Sequence, residues 1–353
     1  MTGRQLKYSE ALREGQREML AADNNVLLAG LGVPGPTGIF GTTSGLQEEF
    51  GADRVIDTPS SENAITGVAL GAAIRGKRPI LVHMRVDFAL LSIEPIVNQA
   101  AKWHYMYGGV MRAPLTIRMI VGRGWGQGPQ HSQSLQSWFA HVPGLKVVMP
   151  ARPLDAKGML ISAVRDDAPV IVFEHRWLYN LSGPVEAGDA GRPLEGAEVI
   201  RTGKDVTIAA TSHMVIESLR AADLLAQIGV DAEVIDLRCL TPIDADTLTG
   251  SVARTGHLVV ADIGQGAFGV AAEVVATMVS HGFSHLKAAP ETVALPHIPT
   301  PTTPALADLF YPGAREIAAA ALKTLKIDRA LPPEEDTGRR WKDTPDPSFT
   351  GPY

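Results

Sequence analysis

The sequence predicts an α/β protein in two halves, each built on a doubly wound, mainly parallel sheet. Three observations predict it. Short apolar runs of strand length alternate with longer segments of helical period. Glycine- and proline-rich loops separate them. The alternation lapses over residues 181–203 and then resumes, as expected of two α/β domains joined by a linker.

Taken in order, residues 8–22 have helical spacing, with Ser9 as the expected cap. Residues 25–31 form a short apolar strand, and 32–45 a glycine-, proline- and threonine-rich loop. Residues 54–57 form a strand ending at Thr58-Pro59. Ser60 and Ser61 can cap the next helix, with Glu62 in its first turn. That helix, through residue 74, is nearly all small and apolar, which permits close packing on another layer. Residues 79–83 form a strand. Residues 93–107 read as helix, with Pro95 in a first-turn position. Residues 115–121 are a buried strand, 134–140 the start of a helix, 146–149 a strand, 153–164 a helix and 169–173 a strand.

In the second half, strands are expected at 206–210, 232–235 and 258–261. Helices are expected at 213–227, 244–251, 270–279 and within 301–326. The expected division is a first domain over 1–180, a linker over 181–203, a second domain over 204–327, and a tail over 328–353. That tail is rich in proline and charge and reads as disordered or packed on a partner.

Composition narrows the function. Of 353 residues, 45% are apolar and 20% charged, as in soluble globular proteins. A formal net charge of −6 without a long basic block argues against a nucleic-acid partner. The single cysteine, Cys239, provides neither an intrachain disulfide nor a cysteine metal cluster. No apolar run has the length of a membrane helix, and residues 1–8 lack a signal-peptide core. A cytoplasmic location is expected.

The most pointed local feature is the loop from Gly122 to Ser134. It carries Gly122, Gly124, Gly126 and Gly128, then Gln130-His131-Ser132-Gln133-Ser134. It joins a strand to a helix. Glycines allow the backbone to approach a ligand closely, and loops at strand ends carry function disproportionately. The loop alone is equally compatible with a simple connection carrying a packing histidine.

Further stretches accompany this one. They include Arg54-Val55-Ile56-Asp57-Thr58-Pro59, Glu62 with Gly67-Val68-Ala69-Leu70-Gly71-Ala72-Ala73, and Asn98-Gln99-Ala100-Ala101-Lys102. Val142-Pro143-Gly144-Leu145-Lys146-Val147-Val148, Asp155-Ala156-Lys157-Gly158 and Asp236-Leu237-Arg238 follow. In this order they make the chain resemble the beta subunit of the thiamine-diphosphate-dependent 2-oxo acid dehydrogenases, which act on pyruvate, branched-chain 2-oxo acids or acetoin. The likeness runs from Tyr8 to about Leu325. It implies a transketolase-like pyrimidine-binding domain followed by a smaller transketolase C-terminal domain.

The resemblance assigns roles. Glu62 falls where the family hydrogen-bonds N1′ of the cofactor aminopyrimidine; without that context, a first-turn glutamate reads as a partner of the helix dipole. Phe88 falls where the family places an aromatic ring against the aminopyrimidine, and is otherwise a core phenylalanine. His131 matches the histidine beside the reacting carbon, where an imidazole suits proton transfer near neutral pH. Carbonyls near Ala163, Asp166 and Ala168 align with a loop that binds potassium in some relatives.

The resemblance also implies an alpha subunit, in a two-alpha, two-beta assembly. The diphosphate-binding motif, Gly-Asp-Gly with a later Asn, is matched only weakly by Gly188-Asp189-Ala190 in the linker. The diphosphate and its magnesium are therefore expected on the alpha subunit. The implied reaction is decarboxylation of a 2-oxo acid, or cleavage of an acyloin such as acetoin, with acyl transfer to the lipoyl group of an acyltransferase. Val82, Glu94 and Pro95 depart from the usual glutamate and Asp-Gln pair. They keep open a split transketolase or other non-oxidative carboligase, and a non-catalytic regulatory subunit.

Overall fold

The computed structural model describes residues 4–124 and 126–333. Trp125 and the segment 334–353, most of the expected tail, lie outside the described residues. The chain falls into two compact units. Among the described residues, one holds residues 4–122 together with 138–194, and the other holds 123–137 and 195–333.

In the first unit the strands are β1 (Arg4–Lys7), β2 (Val26–Gly30), β3 (Val55–Asp57), β4 (Arg78–His83), β5 (Thr116–Val121), β6 (Lys146–Val148), β7 (Val170–His175) and β8 (Ser182–Val185). Strands β2 to β7 form a wholly parallel sheet, in the order β6-β7-β5-β4-β2-β3. Every residue of β5 and β7 is buried, as expected when helices cover both faces of a parallel sheet. The helices are α1 (Tyr8–Ala22), α2 (Leu46–Phe50), α3 (Glu62–Ile74), α4 (Val86–Ala89), α5 (Ala101–Met106), the short α6 (Gln136–Ala140), whose first two residues belong to the other unit, and α7 (Pro153–Arg165). The broadest helix contact in this unit is α1 against α7.

Several expectations are refined. The residue capping α1 is Lys7, not Ser9. The Lys7 amide donates to the Glu10 carboxylate at 2.8 Å, while Ser9 is buried inside the helix. The segment read as one helix over 93–107 is divided: Glu94–Ala100 forms a wide helical turn ahead of α5. Pro95, which has no amide to donate, sits in its first turn. The stretch 181–203 contains β8, paired antiparallel with β1, and β9 (Glu198–Arg201).

In the second unit, β9 is followed by β10 (Val206–Ala210), β11 (Ala232–Asp236), β12 (Cys239–Thr241), β13 (Leu258–Gln265) and β14 (Glu291–Leu295). The sheet order is β14-β13-β10-β11-β9. All its pairings are parallel except β9 on β11, an antiparallel edge. The helices are α8 (His213–Gln227), α9 (Ala245–Thr255), α10 (Val270–Gly282), α11 (Pro304–Phe310) and α12 (Ala314–Leu325). Asp244 caps α9 by accepting from the Thr247 amide at 2.9 Å. Gly256 closes it in the left-handed conformation.

No helix among the described residues is long and apolar enough to cross a membrane.

Candidate functional site

The parallel sheet of the first unit decides where chemistry can sit, because ligands of such sheets bind beyond the carboxyl ends of the strands. The chain leaves β3 at Asp57, and the Asp57 carboxylate accepts from the Gly32 and Thr58 amides at 2.8 and 3.0 Å, tying two strand-end loops together. Glu62 then opens α3 at this edge. Its side chain is half-buried, and among the described residues its carboxylate has no hydrogen-bond or ion-pair partner. The neighbouring Asn63 side-chain amide donates to Leu91 O at 3.1 Å. Phe88, on α4 after β4, is 39% exposed on an element that packs against α3. The fold therefore brings Glu62 and Phe88 to one edge of one unit, on adjoining elements.

A buried polar layer supports α3. Thr66, one turn beyond Glu62, lies 3.2 Å from His83 Nε2, and its hydroxyl donates to Ser92 Oγ at 3.0 Å. His83 ends β4 and is 5% exposed. Burial lowers its pKa to about 4, so the ring is neutral at pH 7. The remaining face of α3 turns outward: Ala64, Gly67, Val68 and Gly71 are exposed, whereas Thr66, Ala69, Leu70 and Ala73 are buried. The small residues expected to pack a layer are thus divided between the unit's own core and an uncovered surface.

The parallel sheet also buries an ion pair completely. Arg118 of β5 and Glu174 of β7 are both fully buried, with Nη2 donating to Oε2 at 2.8 Å. Arg118 also donates to Gln16 Oε1 at 2.7 Å and to Thr42 Oγ1 at 2.9 Å. The Tyr179 hydroxyl donates to Glu174 at 3.0 Å, and burial, reinforced by that carboxylate, pushes the phenol well above its ordinary pKa. Arg176, also buried, lies 4.9 Å from the Phe40 ring centroid. Burial, with Arg85 nearby, lowers its pKa to about 10. Strand ends crowd here. A Cβ on Gly122, which has φ of +92°, would sit 2.7 Å from the His175 ring, so only glycine fits.

His131 lies elsewhere in the architecture. Its loop, Arg123–Ser137, belongs to the second unit. The residue is half-buried, and its amide donates to Gly128 O at 3.2 Å. Ser132 and Ser134 on either side of Gln133 are buried. Glu62 and Phe88 are thus placed together, and His131 is carried by the other unit.

Around the carbonyls implied for potassium, Arg78 Nη1 donates to Val164 O and Asp166 O, both at 3.0 Å. Lys146 Nζ lies 2.6 Å from Asp166 Oδ2. The Ala163 carbonyl accepts from the Asp166 amide at 3.3 Å, and the Ala168 amide donates to Asp166 Oδ1 at 2.8 Å. No group of three or more His, Cys, Asp or Glu among the described residues could hold a metal ion. Of the departures, Val82 is buried in β4, Pro95 is buried, and Glu94 is exposed and accepts from Gln99 at 3.0 Å.

Sequence reasoning missed His83, Thr66, Arg118, Glu174 and Arg176. Each charged or polar residue sits in or beside an apolar run, and only the three-dimensional pairing shows its partners.

Comparisons with known proteins agree with this architecture. The transketolase pyrimidine-binding domain matches residues 4–182, and the transketolase C-terminal domain matches residues 195–317. The beta subunit of acetoin:2,6-dichlorophenolindophenol oxidoreductase from Cupriavidus necator is 43% identical, over 92% of this chain and 98% of its own length. The beta subunit of pyruvate dehydrogenase E1 from Bos taurus is 39% identical, over 92% of this chain and 91% of its own. A solved split-gene transketolase, described as an inactive beta4 tetramer, has a TM-score of 0.75 at 23% identity, covering 92% of this chain and 99% of that one; it shows the shared fold. The chain belongs to the beta-subunit family of the thiamine-diphosphate-dependent 2-oxo acid and acetoin dehydrogenases.

Proposed function

We propose that this chain is the beta subunit of a heteromeric 2-oxo acid or acetoin dehydrogenase and holds the aminopyrimidine half of thiamine diphosphate through Glu62 and Phe88. The observation that carries this reading is the Glu62 carboxylate. It is a half-buried acceptor at the start of α3, without a partner among the described residues, and the adjoining helix α4 carries the partly exposed Phe88. A carboxylate and an aromatic face suit a flat, protonatable heterocycle. When bound, thiamine diphosphate supplies the electron sink needed to cleave the bond beside the carbonyl.

Glu62 would hydrogen-bond the ring nitrogen N1′ and bias the protonation of the aminopyrimidine. Phe88 would pack against that ring. His131 would transfer a proton at the reacting group during decarboxylation or acyl transfer. The diphosphate and magnesium are held by an alpha subunit, in a two-alpha, two-beta assembly. The exposed Ala64, Gly67, Val68 and Gly71 offer a helix face against which another chain can pack closely. The acyl acceptor is the lipoyl group of an acyltransferase. Potassium, held by carbonyls of Ala163, Asp166 and Ala168, would share the Asp166 carbonyl with Arg78. The domain division at 181–203 and a cytoplasmic location belong to the same proposal.

The test is Glu62→Gln in the chain reconstituted with its alpha subunit. Hydrogen–deuterium exchange at cofactor C2 should slow by about 100-fold or more, with assembly intact. Exchange at the wild-type rate would reduce Glu62 to a helix-start residue.

A further inference from the structure

The loop that carries His131 is fastened at three places to the second unit. At its start, the fully buried Arg123 donates through Nη1 to Pro301 O at 2.7 Å and through Nη2 to Thr302 O. At its middle, Gly128 lies so close to Thr302 that an added Cβ would collide with the Thr302 hydroxyl. At its end, Gln136 Nε2 donates to Asp262 Oδ1 at 3.1 Å. The same oxygen accepts from Thr211 Oγ1 at 3.0 Å. Asp262 is fully buried in β13, and Gln136 is 1% exposed.

The surroundings leave this last contact little freedom. A Cβ on Gly264 would lie 2.8 Å from Gln136 Nε2 and 3.1 Å from Asp262 Oδ2. A Cβ on Gly269 would lie 3.4 Å from the same carboxylate. Two residues without side chains thus make room for the carboxyl–amide pair. Burying a carboxyl group is costly unless its hydrogen bonds are made, and Gln136 is one of the groups that make them. Burial raises the Asp262 pKa despite the bonds it accepts from Thr211 and Gln136. A neutral Asp262 still accepts from Gln136.

We propose that Asp262 is a positioning residue for His131, fixing the end of its loop through Gln136 while Arg123 and Thr302 fix the start and the middle. The catalytic part rests on the reading of His131 as the proton-transfer group. The anchoring itself rests only on the contacts above. Gln136 lies five positions after His131, so releasing Asp262 frees the C-terminal half of the loop while Arg123 keeps its start in place. A displacement of about 1 Å at a proton-transfer group can lower turnover by about 100-fold.

The experiment uses the full chain reconstituted with its alpha subunit, as wild type and as Asp262→Ala, Asp262→Asn, His131→Ala and the Asp262→Ala/His131→Ala double variant. Hydrogen exchange read by mass spectrometry reports anchoring without reference to activity. Peptides covering 129–137 should exchange faster in Asp262→Ala. Peptides from β10 and α8 should keep their protection, and Asp262→Asn, which retains an acceptor oxygen, should restore the wild-type pattern. Unchanged exchange at 129–137, or loss of protection throughout the second unit in both Asp262 variants, would overturn the proposal.

Activity then tests the coupling. Asp262→Ala should lower acyl transfer by roughly 10- to 100-fold, leave exchange at cofactor C2 at the wild-type rate, and add nothing on top of His131→Ala. An additive loss in the double variant would refute positioning through His131. If His131→Ala keeps wild-type turnover while the loop still loosens in Asp262→Ala, the anchoring stands and the assignment of His131 falls.

Discussion

Acidification should weaken the fold through one identifiable residue. His83 is 5% exposed, and burial holds its pKa at about 4 against an ordinary value of 6.5. The folded state therefore binds a proton less readily than the unfolded chain. Between pH 6.5 and 4 the unfolded state carries more protons at this site, so stability falls as pH falls through that window. A depression of about 2.5 pH units, at about 1.4 kcal/mol each, corresponds to a loss of ~3 kcal/mol by pH 4, of which ~2 kcal/mol is already gone at pH 5. The comparison chain carries His83→Gln, whose amide can still meet Thr66 but does not titrate. Urea-unfolding free energies of the two chains, measured from pH 7.5 to 5, should differ in slope. The wild type should lose ~2 kcal/mol more than the variant over that range. Parallel curves would show that His83 protonates as easily folded as unfolded, and the burial argument would fail.

Three further outcomes are expected. His131→Ala should lower turnover to lipoyl acceptors by roughly 100- to 10,000-fold with cofactor binding intact, and wild-type rates with both lipoamide and an artificial electron acceptor would make it a packing residue. Glu174→Gln should cost about 3–5 kcal/mol in denaturant unfolding, because it leaves the Arg118 charge buried without its counter-charge; a loss under about 1 kcal/mol would mean that Gln16 and Thr42 suffice. Replacing both members, as Arg118→Met with Glu174→Leu, should recover much of that loss, and an equal or larger loss would show that the charges are needed as a pair.

Much of the scaffold was legible from local pattern. The helices at Tyr8–Ala22 and His213–Gln227 follow the expected bounds because apolar spacing and chain breaks coincide there. Strands β5 and β7 were legible because a sheet covered on both faces demands continuous apolar runs. Strands β1, β8 and β14 were not. They are short or lie at an edge, and backbone pairing rather than side-chain alternation makes them. The cap at Lys7 was missed because a backbone amide can be satisfied from Glu10 without a capping side chain. In the proposed site, Glu62, Phe88 and His131 were assigned through resemblance to a family. Arg118, Glu174 and His83 carry no local signature, since a charge inside an apolar run looks the same whether or not it has a partner. Asp262 was hidden for a different reason: its partner Gln136 lies 126 positions earlier in the chain.

The passage of residues 123–137 into the second unit makes the chain discontinuous with respect to its own units. A fragment beginning at Glu195 would contain β9 to β14 and α8 to α12, yet it would lack part of the unit it appears to encode. Asp262 would face a space where Gln136 belongs, and the Pro301 and Thr302 carbonyls would lose Arg123. The complementary fragment would carry His131 on a segment that had lost these anchors. One peptide-bond cut within 181–203 therefore cannot yield two self-sufficient pieces, and a gene divided there would require both products to find each other again before the second unit was complete.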